Sequence, residues 1–117
     1  MIEIWINPAC SKCRSALSEL DAAGAGYVVR RYLEDPPTAA ELAEVVARLG
    51  LEPWDIAREV ESAQEGIDLP RDAAHRQDWL DALAAHPRAI QRPIITAADG
   101  TTVIGRDQAA IDRVINP

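Results

Sequence analysis

A chain of 117 residues, 48% apolar and 26% charged, has the size and composition of one compact domain with a substantial core, which excludes a disordered tail or an isolated peptide. Its 19 acidic and 12 basic residues give a formal charge of −7 and a pI near 4.7, so a nucleic-acid backbone or an anionic membrane would on average repel it. No apolar run approaches the roughly 18–20 residues that span a bilayer, and Met1-Ile2-Glu3-Ile4 lacks the basic-then-apolar order of a signal segment. The expectation is a mature cytoplasmic monomer with no nucleic-acid or membrane partner.

Along the chain, Ile2, Ile4 and Ile6 alternate with Glu3 and Trp5, predicting a first strand with one buried face that Asn7-Pro8 ends. From Ser11 onward Cys13, Ala16, Leu17, Leu20 and Ala23 recur at three- and four-residue steps, an amphipathic helix stopped by Gly24 and Gly26. Tyr27 to Tyr32 is a second strand, and strand, helix and strand within about thirty residues form a right-handed crossover with parallel strands. Thr38-Ala39-Ala40-Glu41 has capping-box spacing and opens a helix with Leu42, Val45, Val46 and Leu49 on one face and Gly50 as its stop. Pro53 starts a short helix through Ala57, the polar stretch Ser62 to Leu69 reads as a mobile loop, and Gln77 to Ala85 is a further helix closed by Pro87. Ile94-Ile95-Thr96 and Thr102-Val103-Ile104 flank Asp99-Gly100 as a hairpin, and Asp107 caps a last helix that uses Ile111 and Val114. No repeat or linker divides this order. It is an α/β, thioredoxin-like plan with a mixed sheet (β-α-β, helical insert, β-hairpin, α), in one domain over 1–117 with the insert at about 38–86.

The only cysteines, Cys10 and Cys13, are too few and too close to staple a secreted fold, so their spacing points to chemistry. A zinc site would want four ligands, and His75 and His86 are the only other soft donors, so no metal is expected. Cys10 lies in the loop entering a helix, where unsatisfied backbone amides and the positive helix end favour the reactive thiolate. Cys13 is open to two readings. It lies on the apolar stripe, where a core role suffices, and it lies one helical turn from Cys10, where a resolving thiol would stand. Lys12 is placed to lower the thiol pKa by proximity, and Asn7 to hydrogen-bond within the loop. The three tryptophans, Trp5, Trp54 and Trp79, read as core bulk.

Asn7-Pro8-Ala9-Cys10-Ser11-Lys12-Cys13-Arg14, then Tyr32-Leu33-Glu34-Asp35-Pro36-Pro37-Thr38, then Gln91-Arg92-Pro93-Ile94-Ile95 resemble the glutaredoxin-linked arsenate reductases of thioredoxin-like fold. The likeness covers nearly the whole chain, and three ordered blocks are far more specific than a lone Cys-x-x-Cys. The resemblance implies that Cys10 is the nucleophile and that Arg58, Arg92 and Arg106 hold the oxyanion, with Asn7 beside them. It also implies that Pro93 is cis and faces the active cysteine, which brings Arg92 near Cys10. Arsenate is then the substrate, no cofactor is bound, and electrons come from glutathione or an equivalent small thiol with a glutaredoxin partner, or through Cys13 from a thioredoxin-type partner. The chain departs from the pattern at Ile6, where such reductases often carry histidine, and at Cys13, where many have no cysteine. A general glutaredoxin-like disulfide oxidoreductase and a redox-sensing regulator contacting RNA polymerase are the alternatives.

Overall fold

The computed structural model describes residues 1–117. In chain order its elements are β1 (Ile2–Ile6), α1 (Ser11–Ala22), β2 (Tyr27–Arg31), α2 (Ala39–Leu49), α3 (Glu59–Gln64), α4 (Arg76–Ala85), β3 (Ile94–Thr96), β4 (Thr102–Ile104) and α5 (Gln108–Ile115), with short 3₁₀ turns at Pro53–Ile56, Ala73–His75 and Pro87–Ala89. Two compact units result, Met1–Asp35 with Arg92–Pro117, and Pro36–Gln91.

The first unit is a four-stranded mixed sheet in the order β2-β1-β3-β4, with β1 and β2 parallel and β3 antiparallel to both β1 and β4. This is the α/β, thioredoxin-like arrangement expected from the element order. Ile2, Ile4 and Ile6 of β1, Ala16 and Leu20 of α1, Ile95, Val103, and Ile111 and Val114 of α5 make one apolar cluster, because period-2 strand faces meet period-3.6 helix stripes. Trp5, on the opposite face of β1 from its isoleucines, is only 4% exposed, core bulk as read from the sequence. The Arg30 guanidinium lies 5.3 Å from its ring centroid and its Nε1 donates to Glu3 Oε1 at 2.8 Å, so the second face of this central strand is covered too. β2 ends at Arg31, one residue short of the predicted strand.

Strand register decides where the loops meet. Ile6 lies opposite Arg31, Trp5 opposite Ile94, and Ile94 opposite Ile104. The segments just beyond these pairs, Asn7, Tyr32, Arg92-Pro93 and Gly105-Arg106, therefore gather at one end of the sheet. Gly105 N–H donates to Pro93 O at 2.9 Å, and the Arg92-Pro93 peptide is cis. Asp99-Gly100 turns the hairpin with Gly100 at φ +94°, and Asp107 caps α5 by accepting from Ala110 N–H at 2.8 Å, both as read from the sequence.

In the second unit α2 begins with the predicted capping box, Glu41 N–H donating to Thr38 Oγ1 and Thr38 N–H to Glu41 Oε1, and ends at Gly50 with φ +69°. α2 packs on α4 through apolar faces that include Leu42, Val46, Leu80 and Leu83. The stretch expected as a mobile loop is partly helical, since α3 covers Ser62–Gln64 and closes at Gly66 with φ +74°. A six-residue helix whose inward residue is Ser62, 6% exposed, shows no apolar periodicity to detect. Segment 56–58 is tied back to 89–91 by Gln91 N–H to Ile56 O at 2.8 Å and Arg58 N–H to Ala89 O at 2.7 Å.

Among the glycines, Gly105 has the least room for a side chain. A Cβ there would stand 2.4 Å from Ile95 Cδ1, and Ile95 is fully buried, so neither side has room to give. Gly105→Ala is expected to lower unfolding free energy by about 1–3 kcal/mol through overpacking, read from the midpoint of urea unfolding.

Candidate active site

Asn7, Cys10, Cys13, Arg92 and Arg106 all belong to the first unit. The loop Asn7–Cys10 is a tight turn: Asn7 Oδ1 accepts from Ala9 N–H at 3.0 Å and Asn7 O accepts from Cys10 N–H at 2.9 Å, an Asx turn that delivers Cys10 to the N-cap of α1. Arg14 Nη1 donates to Pro8 O at 3.1 Å and ties the first helical turn to the same loop. The asparagine thus shapes the loop with its side-chain oxygen.

At the N-cap the Cys10 sulfur faces backbone N–H groups that no carbonyl of the helix can satisfy. Burial pushes its pKa up, but the Cys13 and Lys12 amides, the Cys13 thiol and the Arg92 side chain outweigh it, and the pKa falls from 9.0 to about 7. No acidic residue lies in the first turn of α1 to oppose this. Lys12 contributes through its amide rather than through its charge. At neutral pH roughly half of Cys10 is thiolate, against about 1–3 per cent for an ordinary cysteine.

Cys13 is fully buried, with Sγ accepting from Asn7 N–H at 3.5 Å. Burial pushes its pKa up to about 11, and the neighbouring Cys10 sulfur adds to the rise, while Asn7 N–H and Arg92 oppose it. The two thiols are unlike in the way a nucleophile and a reserve thiol are unlike, one exposed enough to meet a substrate and ionised, the other sealed and protonated.

Arg92 stands directly before the cis Pro93 and donates toward the Cys10 sulfur. Arg106 Nη1 donates to the Arg92 backbone carbonyl at 2.7 Å, which joins the exit of β4 to the entry of β3. Arg58 belongs to the other unit. It is the N-cap residue of α3, and its Nε is engaged by the Glu61 carboxylate.

Tyr32 was not among the site residues read from the sequence. It is 1% exposed and its phenol is pushed up to about 12, first by burial, with Arg92 opposing and both thiols adding. The signal that points to it is topological: in a parallel crossover the carboxyl ends of both strands and the N-terminus of the intervening helix share one edge, where ligands bind.

Fold and site together define a thioredoxin-like protein carrying a Cys-x-x-Cys pair at a helix N-terminus, facing a cis-proline loop. The chain belongs to the ArsC family, whose match spans residues 5–114. An uncharacterized protein in the glnII region of Streptomyces viridochromogenes is 60% identical over 113 residues, covering 94% of this chain and 95% of that protein. An arsenate reductase of Neisseria meningitidis serogroup A is 34% identical over 115 residues, 97% of each chain. The solved arsenate reductase from Vibrio cholerae is similar with a TM-score of 0.74 at 29% identity, covering 98% of this chain and 95% of that one.

The thiol asymmetry has a direct readout. The rate of iodoacetamide alkylation in the native protein should rise with pH to half its maximum near pH 7, because a lowered pKa means the thiolate is lost only below that pH. One label should enter. In urea Cys13 should take a second label, and both midpoints should move up to about 8.5, as differential labelling and mass spectrometry would show.

Proposed function

We propose that this protein reduces arsenate to arsenite with thiol electrons, with Cys10 as the nucleophile. The observation that carries the reading is the lowered Cys10 thiol beside Arg92, in a chain 34% identical across 97% of its length to the Neisseria arsenate reductase. Planar guanidinium forks at Arg92 and Arg106 match the tetrahedral oxyanion through paired, charge-assisted hydrogen bonds. The Cys10 thiolate supplies the electron pair of a new S–As bond while arsenic releases one oxygen, protonated to water, and remains As(V).

Cys13 then attacks Cys10 Sγ, its proton passing to an oxygen of the departing arsenical. The S–S bond forms, the S–As bond breaks, and its electron pair stays on arsenic, which leaves as arsenite, As(III). In sum, two thiols and arsenate become a disulfide, arsenite and water. What supports this internal route is that Cys13 is sealed from solvent yet in contact with the Cys10 thiol. Capture of Cys10 by the substrate also removes the thiolate charge that helps hold Cys13 protonated. A thioredoxin-type dithiol then reopens the disulfide by exchange. Glutathione with a glutaredoxin is the competing donor, attacking the Cys10 adduct in place of Cys13. These steps call for no resident metal or organic cofactor.

Arg92→Lys keeps the charge but loses the fork, and one charge-assisted hydrogen bond is worth about 1.5–3 kcal/mol, so kcat/KM for arsenate should fall about 10- to 100-fold. Unchanged steady-state kinetics, with phosphate failing to compete, would point instead to general disulfide exchange.

Intact mass spectrometry after one equivalent of arsenate distinguishes the electron routes. The wild type should lose two hydrogens with no thiol adduct, and Cys13→Ser should stall after one cycle with a thioredoxin system. A mixed disulfide on Cys10 in the wild type, with Cys13→Ser fully active on glutathione and glutaredoxin, would assign the small-thiol route.

A further inference from the structure

Tyr32 holds a polar atom that the resting fold leaves without a well-formed hydrogen bond. The residue is 1% exposed, and the side chain that approaches its hydroxyl as a donor is Arg92, which leaves the phenol proton itself uncommitted. A buried phenol normally finds a partner, and an unmatched one is costly to keep. Register explains its place. Ile6 opposite Arg31 sets Tyr32 alongside Asn7, the residue whose amide donates to Cys13 Sγ.

The groups within electrostatic reach of the phenol are Arg92, Cys13 and Cys10. Arg92 carries only donors and cannot take the phenol proton. Of the two sulfurs, Cys10 is already served by the Cys13 and Lys12 amides, the Cys13 thiol and Arg92. Cys13 Sγ accepts one backbone hydrogen bond, from Asn7 at 3.5 Å. In the resting state Cys13 is a protonated thiol and makes little demand on a donor. Once it ionises to attack Cys10, a buried thiolate with a single long hydrogen bond must be stabilised from within.

We propose that Tyr32 is a positioning residue for the resolving thiol, its hydroxyl donating to Cys13 Sγ as that sulfur becomes a thiolate. It transfers no proton. The phenol remains O–H throughout, Cys13 passes its proton to the leaving group, and the electron pair moves from Cys13 to the Cys10 sulfur as the bond from Cys10 to its adduct breaks. The inference rests on the resolving role given to Cys13 above, but not on arsenate being the substrate.

Oxidised glutathione separates the two. The Cys10 thiolate attacks it to form a Cys10–glutathione mixed disulfide and release one glutathione thiolate. Cys13 then attacks Cys10, forming the internal disulfide and releasing the second. Acid quenching and intact mass spectrometry follow both steps in the full chain, with Cys13→Ser as the reference that stops after the first. In Tyr32→Phe the first step is expected to keep its rate within about twofold and the second to slow about tenfold, the order of one lost hydrogen bond to a charged group. The urea midpoint should stay level or rise, because the deleted hydroxyl makes no well-formed hydrogen bond in the resting fold. Equal rates in both steps with a lowered urea midpoint would make the hydroxyl merely structural and overturn the proposal. Slowing confined to the first step would assign it to Cys10 instead, and would overturn it equally. If the wild type itself stops at the mixed disulfide, the resolving role of Cys13 fails first, independently of Tyr32.

Discussion

The site depends on a few unsatisfied N–H groups at the first turn of α1. An α-helix leaves its first amides without carbonyl partners, and here the Asx turn at Asn7 brings a cysteine to the N-cap, so the Lys12 and Cys13 amides favour its thiolate although the sulfur makes no formal capping hydrogen bond. This compensates for the overall charge. In a protein of net charge −7 the average field disfavours both a thiolate and an oxyanion, yet within the first turn the helix end and Arg92 reverse that sign locally. Arg106 extends the positive region by holding the Arg92 carbonyl.

The same end of the sheet then separates the two thiols, through hydrogen-bond donors at Cys10 and through burial at Cys13. Cys10 and Cys13 are three residues apart on one helix start and differ in pKa from about 7 to about 11. Cys10 meets donors and some solvent, whereas Cys13 turns inward with Ala16 and Leu20 onto the β1 face. Cys13 packs in the core and stands against the reactive sulfur, so the resolving role proposed for it is compatible with its core role, and burial would keep such a thiol protonated until its neighbour has been consumed.

The helical segment between β2 and β3 has its own supports, with α2 against α4, the Thr38–Glu41 box and the paired strands of backbone at 56–58 and 89–91. Arg76 adds a two-bond fork to Glu52, at 2.7 and 3.0 Å. Arg58 shows how an arginine can be recruited locally: at the head of a short helix with acidic residues in its first turn, it is engaged by Glu61.

Local patterns were sufficient for most elements. Ile2, Ile4 and Ile6, the Thr38–Glu41 spacing, Gly50, Asp99-Gly100 and Asp107 each act within a few residues of themselves, so their consequences are written in the sequence, and so is the approach of a Cys-x-x-Cys to a helix start. Where the chain had to meet itself, sequence was insufficient. The cover over Trp5 comes from Arg30 of a neighbouring strand, and α3 forms without an apolar stripe. Tyr32 enters the site because strand register sets it beside Asn7. Register is a long-range property fixed by which faces share a core, and no run of neighbouring residues encodes it. The thiol, the cap and the turn were therefore legible from the sequence, whereas the partners that tune the thiol were decided by tertiary structure.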